Sequence, residues 1–567
     1  MPAKRWVIRK HDRDAVDKLS AELNVTPIVA ALLISRGYDT AERAKTFLNP
    51  SPEHLHSPEL LKGVPEAVAR IQSAIKKGEK ILVWGDYDVD GTTGTVLLRK
   101  ALKLLGAQTG YHVPNRFTEG YGINSPALQD AYDRGFRLVI SVDTGTTSVK
   151  EVTFANSIGL DVIITDHHLP KPGEELPAAV SIVNPNQPGC PYPDKHLAGV
   201  GVAFKLAHAL LREAGLGHEV PQFLKIAAIG TVADIMDLTG ENRAIVALGL
   251  IDLAKTDNIG LRALMDVAEC HSDMTSYHIG FRIGPRINAA GRMDIAKHVI
   301  ELLESDDPDT AAGLARLLDS RNRERQQMQQ RITELALNET ENHDGKYFVV
   351  VAGEGWHRGV IGLAASRIAE KLYRPTIVLS IEDGLGHGSA RSIANFHLVN
   401  ALATQSELLE GFGGHAAAAG MTIKSERIGV LRDDLNEYAA SVLTADDLIP
   451  VLNIDALLTP DSLDLELVQQ LSVFEPFGAG NPKPIFLTRG LKLRDEPFVM
   501  KDRHLKFRLF SSTGKSFEAV WWDGVERSKG QTFKAGSSIE IAYVPEVNVW
   551  QGNARLQLVV EDLRADN

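Results

Sequence analysis

The chain has 567 residues, 44% hydrophobic and 24% charged, with a formal net charge of −12. That is too long for one core and predicts roughly three or four globular domains; no apolar run approaches the ~20 residues of a bilayer span, so no membrane association is expected. Only two cysteines, Cys190 and Cys270, are present, which argues against a disulfide framework or a thiolate zinc site, and the acidic total argues against a protein coated in nucleic acid while leaving room for a local basic groove.

The opening "MPAKRWVIRKHDRD" is charged and lacks the apolar core of a secretory signal, so a cytoplasmic location is expected. Residues 1–55 read as a short helical segment. From about 64 the pattern alternates: helix "PEAVARIQSAIKKGE", strand "KILVWG", helix "GTTGTVLLRKALKLLG", strand "GYHVPN", helix "SPALQDAYDRG", strand "RLVISV", helix "SVKEVTFANSIG", strand "DVIIT" and a further strand within "AAVSIVNPN". Apolar strands alternating with helices indicate parallel βαβ units in a sheet covered on both faces. Residues 200–270 are mainly helical, and the first α/β domain is placed at 56–305.

A stretch from about Pro308 to Asn342 opens on "DDPDTAAG" and has a charge-dense middle, "DSRNRERQQMQQR". It predicts one connecting helix, 306–344, of about 50 Å, polar enough to bridge two domains. A second α/β pattern occupies 345–450. The remainder, 451–567, turns to β alternation ("HLKFRLF", "SFEAVWW", "SIEIAYVPEVNVW", "ARLQLVVEDL") and predicts a small barrel.

Polar residues cluster at the strand ends. Asp86, Asp88 and Asp90 follow "KILVWG", Asp143 follows "RLVISV", and Asp166, His167 and His168 follow "DVIIT". Ligands of open α/β sheets bind beyond the carboxyl ends of the strands. Asp234 stands within what reads as an apolar helix, with Asp237 a turn later. Singly, each acid could be a turn, a cap or an ion-pair partner. Together they would repel one another unless cations neutralise them, and carboxylate with imidazole suits Mn²⁺ or Mg²⁺. A two-metal site, and with it phosphoester hydrolysis, is the expectation.

The motifs "DYDVDG", "DTG", "DHH" and "GTVADIMDL" occur in this order, followed by "PNRFTEGYG", "RINAAGRMD", "GEGWHRGVIGLAASRI", "GSARS" and "GFGGHAAAAG". On these the chain resembles the DHH/DHHA1 phosphoesterase superfamily, over nearly its whole length, and within it the bacterial single-strand-specific exonucleases. The resemblance implies a DHH domain with a parallel sheet, a DHHA1 domain and a C-terminal OB fold. It also implies 5′→3′ degradation of single-stranded DNA to nucleotides with two Mn²⁺ or Mg²⁺ ions. A monomer is expected, working with single-strand-binding protein and a recombination or repair helicase. By motif position Asp86, Asp88, Asp90, Asp143, His167, His168 and Asp234 carry over as metal-site residues, with Asp88, Asp143 and His168 catalytic, Asp143 bridging and His168 on the scissile phosphate. In one departure, Trp84 stands where many relatives have His, and Asp86 is expected to supply part of that coordination. A related small-substrate reading, hydrolysis of short oligoribonucleotides or cyclic dinucleotides, shares the same chemistry.

DNA contacts are expected from three places. The Gly-rich stretches at 388–392 and 411–420 read as anion-binding turns, with Ser389, Arg391 and His415 as donors. His357 and Arg358, after Trp356, stand at a strand-to-helix turn. Arg282, Arg286, Asn288 and Arg292 fall in one loop-rich segment, with Arg116 after another strand. These arginines either hold phosphates or ion-pair with the acids. In the exonuclease reading Arg116, Ser389 and Arg391 form the pocket for the 5′ end, in a channel between the two α/β domains that admits one strand. Lys506, Arg508, Trp521, Trp522, Tyr543 and Trp550 would serve the strand in the barrel, about half of the aromatics being core.

Overall fold

The computed structural model describes every residue except 1, 117, 172, 272, 294, 341–346, 529–530 and 566–567. The side chain of Trp550 and the end of the expected connecting helix lie outside the described residues. The chain forms two compact units. One comprises Glu42–Arg323 and Phe474–Pro482; the other comprises Met1–Ala41, Glu324–Val473 and Lys483–Asn567.

The first unit is built on five strands in the order Thr109–His112, Lys80–Gly85, Phe136–Val142, Asp161–Thr165 and Ser181–Val183. All neighbours are parallel, so every strand delivers its last residue to the same edge. The strands are apolar because helices cover both faces. Val83, Ile140 and Ile163 pack with the Val64–Lys77, Val89–Leu104 and Gly199–Glu213 helices, while Leu82, Val139 and Val162 face the opposite layer. Trp84 is fully buried in that opposite layer, its ring centroid 4.2 Å from that of His112.

Residues 474–482 rejoin this unit after an excursion of 150 residues through the other. Arg243, 2% exposed, holds them. Its guanidinium lies 3.8 Å from the Phe47 ring centroid and donates to the carbonyls of Phe47 (2.7 Å), Phe474 (2.9 Å) and Glu475 (2.7 Å). Leu238 N–H donates to Ala479 O at 2.8 Å, so the returning segment supports the turn that follows Asp234.

The second unit contains a five-stranded sheet, ordered Leu409–Gly414, Ala418–Lys424, Leu385–Arg391, Thr376–Glu382 and Val349–Glu354, with only the last pair parallel. It also holds a β-barrel in which Phe486–Leu493, Ser538–Trp550, Asn553–Ala565, Ser516–Trp521 and His504–Phe510 follow one another, the last pairing back to the first. Closure removes the open edges an exposed β ribbon would present. The Pro308–Thr340 helix is continuous across the point in the chain where the units divide.

The N-terminal segment is not purely helical. Arg5–Ile8 is a strand paired in parallel with Val451–Ile454, and Trp6 Nε1 donates to Asp562 Oδ2 at 2.7 Å. A four-residue strand leaves too short an alternation to be seen in sequence. The "RIGPRINAAGRMD" segment is likewise helical rather than loop-rich: a π-turn over Ile279–Ile283 runs into the Gly284–Arg292 helix.

Replacing Arg243 by Met removes the donors for three buried carbonyls. The expected result is a loss of about 3 kcal/mol or more in denaturant unfolding, with the circular dichroism of the folded protein unchanged.

Candidate metal centre and phosphate-contacting residues

Three neighbouring strands place the acids. The Lys80–Gly85 strand ends at Asp86, 3% exposed. Asp88 caps the Val89–Leu104 helix, accepting from Gly91 N–H at 2.9 Å. Asp90, in the first turn of that helix, accepts from the N–H groups of Gly199 (2.6 Å) and Val200 (2.7 Å) at the start of the Gly199–Glu213 helix. Asp143 directly follows Phe136–Val142 in left-handed backbone, φ 62°, a conformation that costs a non-glycine residue energy. Gly199 is needed beside it, since a Cβ there would lie 2.6 Å from Asp143 Cβ.

His167 and His168 follow Asp161–Thr165. His167 Nε2 is 3.2 Å from Asp143 Oδ1, 3.6 Å from Asp234 Oδ2 and 3.8 Å from Asp90 Oδ2. Burial first, then the charge of His168, pulls its pKa down to about 4. It is therefore neutral, and since its ring also hydrogen-bonds the Leu197 backbone, Nε2 is left as a lone pair facing three carboxylates. His168 behaves oppositely. Burial lowers its pKa, but its hydrogen bond to Asp166 Oδ1 (2.7 Å) and the surrounding acids outweigh this and raise it to about 9. The Asp166 hydrogen bond thus favours the imidazolium form of His168.

Asp234 is not inside a helix. It caps the end of Leu224–Ala233, and Ile235 then turns the chain with φ 59°. This is why Asp237 does not follow on the same helical face.

The five carboxylates of Asp86, Asp88, Asp90, Asp143 and Asp234 all have raised pKa values. Burial is the largest cause in each case, and charge from neighbouring acids adds to it in Asp86, Asp90, Asp143 and Asp234; that of Asp234 is pushed up to about 7. Asp86 Oδ1 and Asp143 Oδ1 are buried with no hydrogen-bond partner among the described residues. Asp143 Oδ1 is close to His167 but not aligned for a hydrogen bond. An acceptor-only group buried without a donor calls for a cation. Three sets of ligand atoms within 4.8 Å of one another could hold one: Asp86, Asp88 and Asp143; Asp90, His167 and Asp234; and Asp143, His167 and His168.

Asp166, marked in the sequence at its strand end, supports the site together with Asn184, Asn186 and Tyr121, which the sequence reading did not single out. Asp166, buried, accepts from the N–H groups of Thr146 (2.9 Å), His167 (2.8 Å) and His168 (3.1 Å). Burial opposes its charge, but these bonds and the His168 charge hold its pKa down at about 2. Asn184 donates to His168 O and Asn186 to His167 O, at 2.9 and 2.7 Å. The signal was present: "NPN" follows the fourth strand end just as the acids follow the others. Tyr121 OH donates to Asp143 O at 3.2 Å and its ring meets His168 edge-on.

The chain matches three family models: the DHH family N-terminal domain over residues 80–231, the DHHA1 domain over 344–441 and the RecJ OB domain over 454–562. It is 41% identical over 567 residues to the single-stranded-DNA-specific exonuclease RecJ of Bacillus subtilis, covering 98% of this chain and 70% of that protein. The chain belongs to the RecJ family. Its fold superposes on crystal structures of Thermus thermophilus RecJ in complex with Mn²⁺ (TM-score 0.85, 30% identity, 99% of this chain and 80% of that one) and with Mg²⁺ (0.78, 29%, 99% and 79%).

The basic residues divide into two groups. Arg116 lies 5.1 Å over the Tyr87 ring, close enough to Asp86 for its charge to oppose, without reversing, the rise in that carboxylate's pKa. Arg292 acts on Tyr87 and Asp88 in the same way. Its helix comes so close that a Cβ on Gly291 would be 2.2 Å from Tyr87 O, and Asn288 is one turn back on the same helical face. Arg286 instead pairs with Asp319 (2.8 Å), and Arg282 caps the chain at Glu269 O (2.7 Å). Neither of these two pairs with the acids of the metal centre.

In the other unit the Gly-rich stretches are strands, not anion-binding turns. Residues 388–391 lie in Leu385–Arg391, paired on both sides, and 411–414 lie in the edge strand Leu409–Gly414, paired on one side with Ala418–Lys424; Gly388 is small because Met421 packs where its Cβ would be, 2.8 Å away. Ser389 and Arg391 remain as side-chain donors, 3.1 Å apart and close over Gly362 of the Arg358–Leu372 helix. His357 caps that helix through Gly359 N–H at 3.1 Å, and Arg358 Nη2 meets His387 Nδ1 at 3.2 Å. Trp356 is core. His415 is exposed at the hairpin between two strands. In the barrel Trp521 and Tyr543 are buried, Lys506 and Arg508 pair with Glu518 and Asp495, and Trp522 is half exposed beside His504.

The raised carboxylates fix a pH dependence. Without metal, the proton held by each in the folded state stabilises it below the ordinary carboxylate pKa near 4; this contribution is lost as pH rises through the folded value, about 7 for Asp234. Mn²⁺ is therefore expected to raise the melting temperature more at pH 8 than at pH 5.5. In Asp143→Asn the metal-free protein should melt higher at pH 8 and the Mn²⁺ increment should shrink, both read by scanning calorimetry.

Proposed function

We propose that this chain is a single-strand-specific DNA exonuclease that releases nucleotides from the 5′ end by two-metal hydrolysis. The observation that carries the reading is the pair of unpartnered buried oxygens, Asp86 Oδ1 and Asp143 Oδ1, among five carboxylates at the edge of a parallel sheet. The name of the B. subtilis relative and the Mn²⁺ and Mg²⁺ held by the T. thermophilus protein support it.

Asp86, Asp88 and Asp143 would hold one ion, and Asp90, His167 and Asp234 the other, with Asp143 shared between them. This division gives Asp86 a ligand's place and leaves Trp84 to the core. The ions would supply positive charge for the phosphate and lower the pKa of attacking water.

The chain's own residues do the rest. Asp166 fixes the His168 imidazolium, which donates to a phosphate oxygen as charge develops there. Asn184 and Asn186 fix the backbone carrying both histidines. Arg116, Asn288 and Arg292 take phosphates beside the acids, and His357, Arg358, Ser389, Arg391 and His415 take phosphates on the other unit. Trp522 is available for stacking in the barrel. Work in recombination and repair, in the cytoplasm with single-strand-binding protein and a helicase, belongs to the same proposal.

The test is digestion of 5′- and 3′-labelled single strands in Mn²⁺ and in EDTA. A 5′ label should leave first as mononucleotide, and EDTA should stop release. Equal early release from both ends would overturn the polarity, and undiminished cleavage in EDTA the metal dependence. Asp143→Ala should lower kcat by about a thousandfold or more with the fold retained.

Arg391→Ala should raise KM for a 5′-phosphorylated strand by about tenfold at nearly unchanged kcat. An unchanged KM for 5′-phosphate and 5′-hydroxyl strands alike would remove Arg391 from the phosphate contacts.

A further inference from the structure

The Leu224–Ala233 helix closes with a paired turn. Ile235 N–H donates to Val232 O and Met236 N–H to Thr231 O, each at 3.2 Å, after Asp234 at the cap. The residue at the position of Ile235 takes left-handed backbone in such turns and is usually glycine. Here it is β-branched, with φ 59° and 76% exposure. The conformation is sterically costly for such a side chain, and in the free protein Ile235 recovers little of that cost by burial.

The π-turn over Ile279–Ile283 packs on the same helix end: a Cβ on Gly280 would lie 3.8 Å from Val232 Cγ1, and one on Gly284 3.5 Å from Ala233 Cβ. Phe281 in this turn stacks on Tyr277 of the preceding Ser276–His278 turn, with ring centroids 5.0 Å apart and 24° between planes; the two are 71% and 52% exposed. Insertions of this kind into helices are frequent at functional sites. Two segments packed on each other thus expose large apolar side chains, Ile235 directly after Asp234 on one and the Tyr277–Phe281 pair on the other.

We propose that Ile235, Tyr277 and Phe281 form an apolar ledge that receives the bases of the strand being cleaved. The inference rests on the single-strand reading above. Its occupant is chosen by continuity: Ile235 is bonded to Asp234 of the acidic centre, and a strand whose phosphate lies at the carboxylates is the polymer that centre would bring closest to it. Unpaired bases present apolar faces there, and aromatic rings stack on any base. An acidic protein partner would meet repulsion from the same carboxylates.

The test compares KM in Mn²⁺ for an ordinary strand and for one carrying consecutive abasic sites. In the wild type the abasic strand should have a KM about five- to tenfold higher. In Ile235→Gly and Phe281→Ala the difference should shrink to about twofold, and Ile235→Gly should melt no lower than the wild type, since glycine relieves the turn. Variants that keep the full wild-type difference would overturn the ledge while leaving the exonuclease reading intact. A wild type that cleaves neither strand would overturn the reading and the ledge together.

Discussion

Mutual repulsion among buried carboxylates is the constraint around which the first unit is organised. Asp86, Asp88, Asp90, Asp143 and Asp234 are each penalised by burial, and most by one another. A fold keeps such a cluster only if backbone donors and the sheet hold the groups where relaxation would separate them. The Gly199 and Val200 N–H groups pin both oxygens of Asp90, and Gly91 N–H pins Asp88. The oxygens left over, on Asp86 and Asp143, have no donor among the described residues. Stability and function are opposed here, as strained or unsatisfied sites generally require.

Close approach is the second requirement, and it explains the small residues. A side chain at Gly91 would strike the Asp86 backbone, at Gly199 the Asp143 side chain, at Gly230 Asp90 and Thr93, and at Gly291 the Tyr87 carbonyl. Four elements are drawn onto one sheet edge by contacts that admit no Cβ. The returning segment 474–482 braces the same region from outside, through Leu238 N–H and the Arg243 clamp.

Much of this was legible. Three neighbouring strands of the parallel sheet are short apolar runs ending in Asp or Asp-His-His, and parallel pairing puts those ends side by side, so local sequence carries the site. The illegible parts depend on long-range partners. The Arg5–Ile8 strand exists because Val451–Ile454 lies beside it. Residues 474–482 carry no local mark of the Arg243 side chain that claims them. The glycines of "GFGGHAAAAG" read as turns because glycine signals backbone freedom, whereas Gly411, Gly413 and Gly420 lie in strands and only Gly414, beside the hairpin, has positive φ and a close neighbour, the Ala418 carbonyl. The partners of Arg282 and Arg286, Glu269 O and Asp319, are long-range or backbone contacts that composition cannot reveal.

Asp143 and Ile235 share a backbone region that neither residue type favours, and both stand at the acidic centre. At Asp143 the left-handed turn directs a carboxylate toward His167 from the end of a strand that would otherwise carry its side chain to one face of the sheet. At Ile235 the same conformation ends a helix at the residue where its last acid is needed and turns an apolar side chain outward. Glycine at either position would relax the backbone, but it would remove the carboxylate in one case and the exposed apolar surface in the other. The strain is thus tied to the identity of the side chain, which is the pattern expected where the backbone has been fixed by what the site must present to its substrate.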